Sequence, residues 1–230
     1  MNYLAIDAST EACSVALVYN QQTYHHFEHC PQSHSLLLLP MVDKVLQQAG
    51  CKLTDLDGLI FGRGPGSFTG VRIGIGVAQG LGFASDLPVV GVSTLQAMAQ
   101  TAYQQHQQAS VIAAIDARMS EIYTCAYQVD EHGIMQPLLA EAVMPPEQAQ
   151  AHYQDVIAKA YAVGTGWGSY SEALSGLSVQ EQVDILYPDA QAMLLIGAKE
   201  FELGNAVSAE QAQPVYVRDT VSWKKLPGRE

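Results

Sequence analysis

The sequence predicts an α/β protein made of two tandem copies of one βββαβαβα unit. Two observations predict it. The tetrapeptide Ala-Ile-Asp-Ala occurs at 5–8 and again at 114–117, 109 residues apart in a chain of 230. Around both copies the same order of patterns follows: an apolar strand ending in aspartate, a short polar turn, a second strand, and then strands alternating with helices, the signature of a parallel α/β sheet.

In the first copy the opening strand is Tyr3 to Ile6 and Ser9-Thr10-Glu11 is the turn. The second strand is Cys13 to Tyr19, and Asn20-Gln21 turns the chain into a third. A helix is predicted over 34–49, a strand over Gly58 to Gly62 and a helix over 67–84; a strand over Pro88 to Gly91 and a helix over 93–106 complete the unit. The second copy repeats this more loosely. Its strands are Val111 to Ile115, Ile122 to Val129, one after Asp130 to Gly133, Ala160 to Val163 and Val183 to Leu186, with helices near 146–157, 168–175 and 189–203. The duplication divides the chain into an N-terminal unit, 1–106, and a C-terminal unit, 107–213. A tail, 214–230, is expected to pack back on the first unit.

Composition narrows the function. Hydrophobic residues make up 48%, enough for a full core, but charged residues only 15%, against about 25% in an average chain. So sparse a charge suggests that part of the surface is covered by another protein. Eleven basic against 23 acidic residues give a net charge of −12. That excludes the basic stripe of a nucleic-acid-gripping subunit; Arg218, Lys224, Lys225 and Arg229 form a short basic tail only. No apolar run reaches the ~18 residues of a membrane helix and no signal segment is visible, so a cytoplasmic protein is expected. Cysteines 13, 30, 51 and 125 show no C-x-x-C spacing.

The segment Phe61 to Gly74 (FGRGPGSFTGVRIG) follows a strand and opens a helix. Such a turn aims backbone N–H groups and a helix N-terminus outward, which suits an anion; a glycine-rich turn packed against its neighbours has the same composition. It lacks the lysine of a phosphate-binding P-loop. The helix behind it carries Gly70, Gly74, Gly76, Gly80 and Gly82, each costing about 0.5–1 kcal/mol relative to alanine. Close backbone packing offsets such costs. The other positions are apolar nearly all round the wheel, so the helix should be buried on two sides. In the preceding helix Leu38, Leu39, Met41, Val42, Val45 and Leu46 form one apolar arc, while Leu36 and Leu37 fall outside it beside Lys44 and Gln47. Together these helices suggest a protein–protein interface.

Two tandem units of this order, each with an acidic residue after its first strand, resemble the actin-like (ribonuclease H-like, ASKHA) superfamily of sugar kinases, Hsp70 ATPase domains and acetate kinase. The strings LAIDAST, HSLLLLP, GRGPGSFTGVRIG and PVYVRDTVSWKK resemble one branch, the bacterial TsaB (YeaZ) family, from Tyr3 to about Pro227. The resemblance implies a role in forming N6-threonylcarbamoyladenosine at position 37 of tRNA. It implies a heterodimer with TsaD, the larger paralogue that transfers the group, a ternary complex with the ATPase TsaE, and a homodimer through a similar surface. Contact with tRNA would be indirect, and no membrane is involved. On this reading the chain is a non-catalytic scaffold and activator. Its expected interface residues are Leu36, Leu37, Met41, Gly64, Pro65, Gly66, Ser67, Phe68, Thr69, Gly70, Arg72, Gly74, Ile75 and Gly76. Arg72 either pairs with a partner carboxylate or is solvated.

Little catalytic equipment is expected. TsaD-like transferases bind metal through H-x-x-x-H on a helix; the matching stretch here, 92–99, reads VSTLQAMA. His25 and His29 share that spacing but lie in a strand, about 13 Å apart. Cys30 and His34 have no third ligand visible in the sequence, so no metal is assigned. Asp7 and Asp116 occupy the superfamily's metal–nucleotide positions, and Asp7, Ser9, Thr10, Asp116, Gly164 and Gly166 are the candidates for a vestigial nucleotide cleft. Yet Ser9 replaces the glycine of the kinase loop, and aspartates also cap turns. No cofactor is required, and any nucleotide is expected to bind weakly, in the cleft or at a joint interface. The alternative is an actin-like small-molecule kinase or ATPase using both aspartates. A peptidase is not supported: Ser67, Ser93 and His34 form no recognisable triad and no G-x-S-x-G elbow exists.

Overall fold

A computed structural model describes residues 1–177, 179–182 and 184–218. Strands β1 (Tyr3–Asp7), β2 (Ala12–Tyr19), β3 (Gln22–His29), β4 (Gly58–Gly62) and β5 (Val89–Val92) form one sheet in the order β3-β2-β1-β4-β5. Strands β6 (Ser110–Asp116), β7 (Ile122–Val129), β8 (Met135–Pro137), β10 (Ala160–Val163) and β11 (Val179–Gln182) form a second in the order β11-β10-β6-β7-β8, with β9 (Ala142–Met144) also paired to β7. Read in reverse, the second order repeats the first. The pairing sense repeats too: β1 is antiparallel to β2 and parallel to β4, and β6 is antiparallel to β7 and parallel to β10. The duplicated actin-like topology is therefore present in the backbone as well as in the two Ala-Ile-Asp-Ala strings.

Alternate residues of each first strand face opposite layers. Leu4 and Ile6 join the core under helices α1 (His34–Ala49) and α2 (Phe68–Ser85), whereas Tyr3 and Ala5 join the core under α7 (Ala190–Glu202). In the second sheet Val111, Ala113 and Ile115 face α3 (Thr94–His106), and Ile112 and Ala114 face the short helices α4 (Ala149–Tyr153), α5 (Gly166–Ser169) and α6 (Ser171–Leu174). Continuous apolar strands buried on both faces are what this layering requires.

The helices do not respect the sequence division at 106. Helix α3 closes the first repeat in sequence but packs on the second sheet through Leu95, Met98 and Ala102. Helix α7 closes the second repeat but packs on the first sheet through Ala190, Met193 and Ile196. Together they fill the space between the sheets. The tail is also shared: the Val215 N–H donates to the Arg63 carbonyl in the first half, at 3.0 Å, while Arg218 bonds Ala117 O at 3.2 Å and the Glu121 carboxylate in the second. Residues 219–230, with Lys224, Lys225 and Arg229, lie outside the described residues.

The strand expected at Val183 to Leu186 is corrected to Val179–Gln182. Its register is set by β10, whose Ala160 pairs with Val179, and Ile185 instead turns inward to the second core. Val183 lies outside the described residues. The helix expected over 146–157 shortens to a turn at Pro146–Gln148 followed by α4. No helix among the described residues is long and apolar enough to cross a membrane.

Candidate functional site

The turn after β1 is closed from above. Asp7 is buried, its Oδ1 accepting hydrogen bonds from the Ser9 N–H and Oγ, both at 2.9 Å. Thr94 of α3 donates to Ser9 Oγ at 2.9 Å. Burial lifts the Asp7 carboxyl from 3.8 to about 7, against the lowering effect of its Ser9 hydrogen bonds. Ser9 and Thr10 are buried as well.

The glycine loop is the reason. A Cβ at Gly62 would overlap the Asp7 carboxylate, one at Gly66 the Ser9 carbonyl oxygen, and one at Gly70 the Ala8 carbonyl oxygen. The loop and the first turn of α2 therefore press onto residues 7–10. The Ser67 N–H, which a phosphate cradle would aim at a ligand, donates to Ser9 O at 2.7 Å. Of the two readings the sequence allows, packed turn or anion cradle, the packed turn describes these glycines. Replacing Gly66 by alanine is expected to cost about 1–3 kcal/mol in urea unfolding, as overpacking does, because the contact is with backbone.

The second aspartate sits in a more open turn. Half-buried Asp116 accepts from the Arg118 N–H at 2.9 Å and the Tyr170 hydroxyl at 3.0 Å, and its own N–H donates to Thr165 Oγ1 at 3.2 Å. Gly164 (φ +104) and Gly166 pack against Ala114 of β6, as Gly66 and Gly70 pack against residues 8–9. Arg118 reaches Glu11 at 3.4 Å, bridging the two aspartate turns by an exposed pair worth little energy. Two surface cavities, of about 530 and 240 Å³, lie away from these turns, beside the end of α2 and beside Phe27 and residues 184–189.

The serines named in the sequence are structural. Ser67 caps α2 by accepting from Gly70 N, and Ser93 caps α3 by accepting from Gln96 N. One Ser/His/Asp group does assemble: Ser14, His25 and Asp189. His25 Nε2 lies 2.8 Å from Asp189 and 3.5 Å from Ser14 Oγ, so the same ring nitrogen faces both partners. A catalytic triad uses opposite nitrogens. Ser14 Oγ instead accepts from Ala190 N, tying α7 to β2.

The outer face of α1 and α2 is different in kind. Leu36 is 74% exposed, Phe68 67% and Phe83 73%. Along α2 the exposed positions Phe68, Arg72, Gly76, Gly80 and Phe83 recur at helical spacing. Arg72 stacks on the Phe68 ring, 3.3 Å from its centroid, bonds the Phe68 carbonyl and reaches the Tyr216 hydroxyl. A Cβ at Gly76 or Gly80 would meet nothing within 4 Å. Among the described residues, those two glycines therefore serve no internal packing.

The geometry divides the expected interface residues into buried and exposed sets. Met41 and Ile75 belong to the chain's own core, and Gly64, Pro65, Gly70 and Gly74 are buried within it. Leu37 is half-buried against that core and Gly66 is half-buried under Ser9. Leu36, Ser67, Phe68, Thr69, Arg72 and Gly76 are exposed. Leu39, placed in the buried arc by its spacing, is 49% exposed; Gly80, one of the helix glycines named above, and Phe83 lie with Gly76 on the exposed side of α2. Cys30 and His34, left without a third ligand by the sequence, are joined by Cys13.

Comparison with known proteins agrees with the strings quoted above. Residues 17–213 match the family model described as TsaD, tRNA N6-adenosine threonylcarbamoyltransferase. The chain is 48% identical, over the full length of both, to the tRNA threonylcarbamoyladenosine biosynthesis protein TsaB of Escherichia coli. It is 44% identical to the TsaB of Haemophilus influenzae, over 100% of this chain and 99% of that one. The solved structure of YeaZ from Pseudomonas aeruginosa superposes with a TM-score of 0.86 at 44% identity, covering 94% of this chain and 99% of that one.

Proposed function

Because this chain belongs to the TsaB family, we propose that it works in tRNA threonylcarbamoyladenosine biosynthesis as a non-catalytic partner. It binds the TsaD transferase through the outer face of α1 and α2 and, with TsaE, holds the transferase competent. The observation that carries this reading is the exposed run along α2, where Phe68 and Phe83 stand in solvent on the helix that carries two open glycines, with Leu36 and Leu39 exposed on the neighbouring α1. Large apolar side chains exposed along one helix are a mark of protein–protein surfaces. Helix glycines without an internal contact cost stability, and a partner backbone approaching closely at Gly76 and Gly80 offsets that cost. A second copy of the chain would meet the same face in a homodimer.

The alternative, a kinase or ATPase acting alone, needs Asp7 ionised and open to a metal–nucleotide. Its burial beneath Gly62, its raised pKa and the Ser9 carbonyl under Gly66 all weigh against that. The test is formation of threonylcarbamoyladenosine on tRNA in a purified mixture of TsaD, TsaE and a threonylcarbamoyl-AMP source. Product is expected only when this chain is added. Unchanged product on omission would overturn the reading.

A further inference from the structure

The geometry points to a metal site for a thiophilic ion of the zinc type, formed by Cys13, Cys30 and His34. One ligand atom from each lies within 4.8 Å of the others, and all three residues are buried. The site follows from the hairpin. Cys13 on β2 pairs with Glu28 on β3, and Cys30 lies two residues beyond Glu28, so both thiols emerge on the same face. The Cys30 N–H donates to Glu11 O at 2.9 Å, which extends the ladder far enough to hold that orientation. The turn 31–33 then delivers His34 as the first residue of α1, giving a C-x-x-x-H spacing completed by a cysteine from the neighbouring strand.

The histidine is already oriented. Its Nε2 lies 2.6 Å from the Thr10 carbonyl oxygen, which can only accept, so Nε2 carries a proton and Nδ1 is the nitrogen the proposed ion would take. A backbone carbonyl holding the far nitrogen is the usual outer contact of a metal-ligating histidine. Metal–sulfur and metal–nitrogen bonds of about 2.3 and 2.0 Å would draw the three ligand atoms to roughly 3.5 Å from one another, a small contraction. Two thiolates and a neutral imidazole balance the charge of Zn²⁺, which suits a site inside the apolar core shared with Leu38 and Val42. Binding releases both thiol protons to solvent and leaves the fourth position to water. The ion would fasten the start of α1 to β2 and β3. This does not depend on the function proposed above.

The full-length chain, reduced and stripped with a chelator, is titrated with Zn²⁺ and separately with Co²⁺. One equivalent is expected to bind, and the cobalt form should show sulfur-to-cobalt charge transfer with tetrahedral ligand-field bands. Cys13→Ala and Cys30→Ala should each weaken zinc by tenfold or more, a loss of about the size that even outer-contact changes produce, while Cys51→Ala binds as wild type. The cobalt spectrum reads the wild-type chain, so it decides even if a core variant folds poorly. Cobalt bound without sulfur charge transfer, zinc affinity unaltered in a folded Cys13→Ala chain, or no uptake of either ion would overturn the assignment.

Discussion

Replacing Phe68 and Phe83 together by glutamate is expected to abolish association with TsaD while the chain stays folded. Both rings are more than two-thirds exposed, so their removal touches little of the internal core; exposed substitutions of this kind usually change stability by about 0.5 kcal/mol or less. Phe68 also gives up its contact with Arg72, worth about 0.5–1 kcal/mol at an exposed site. At an interface the same rings would be central anchors worth about 2 kcal/mol or more each, so the dissociation constant should rise at least about 100-fold. The comparison variant is Ile75→Glu. Because Ile75 lies in the chain's own core, that change should unfold the protein rather than merely uncouple it. Calorimetric titration of each variant with TsaD, alongside thermal unfolding, separates the two cases.

The second large effect concerns Asp7 and is read in stability against pH. The folded chain holds this carboxyl near 7, whereas its ordinary value is 3.8. Between those values the folded state keeps a proton that the unfolded state has released. Stability therefore declines as pH rises through the window, and the contribution is fully present only below about pH 4. Asp7→Asn removes the titration and keeps an oxygen to accept from Ser9 N. At pH 8 the variant should be more stable than wild type by up to about 4 kcal/mol, one pKa unit being about 1.4, and the gap should narrow to less than half at pH 5. Urea unfolding at the two pH values measures it. Product formation in the reconstituted reaction should stay at the wild-type level, whereas an enzyme using Asp7 at a metal–nucleotide would lose it.

Local pattern made much of this molecule readable. Helix α1 and strands β4 and β10 occupy the residues their periodicity indicates, because each is bounded by glycine, proline or polar turns. The repeated aspartate-tipped strand revealed the duplication, while the strand order of each sheet is seen only in the fold. What periodicity cannot convey is which neighbour a two-sided helix meets. In α2 it marked both faces as apolar but left Ile75 and Gly76 indistinguishable, and the fold puts one in the core and the other in solvent. The exchange of α3 and α7 between sheets is invisible for the same reason: periodicity shows that each has an apolar face but not which sheet that face meets. The Cys13, Cys30 and His34 cluster left only a C-x-x-x-H trace, because its third member comes from the paired strand.

The central claim is that the outer face of α2 is shaped for another protein. Gly76→Ala with Gly80→Ala tests it most directly, measured as unfolding free energy and as affinity for TsaD on the same sample. Neither new methyl meets anything within 4 Å among the described residues, so stability should rise by about 0.5–1 kcal/mol for each. If a partner backbone lies against these glycines, the methyls overpack that contact and affinity should fall roughly tenfold or more. A chain that becomes more stable and binds less well is the predicted result. A double variant that binds TsaD as tightly as wild type would contradict the account.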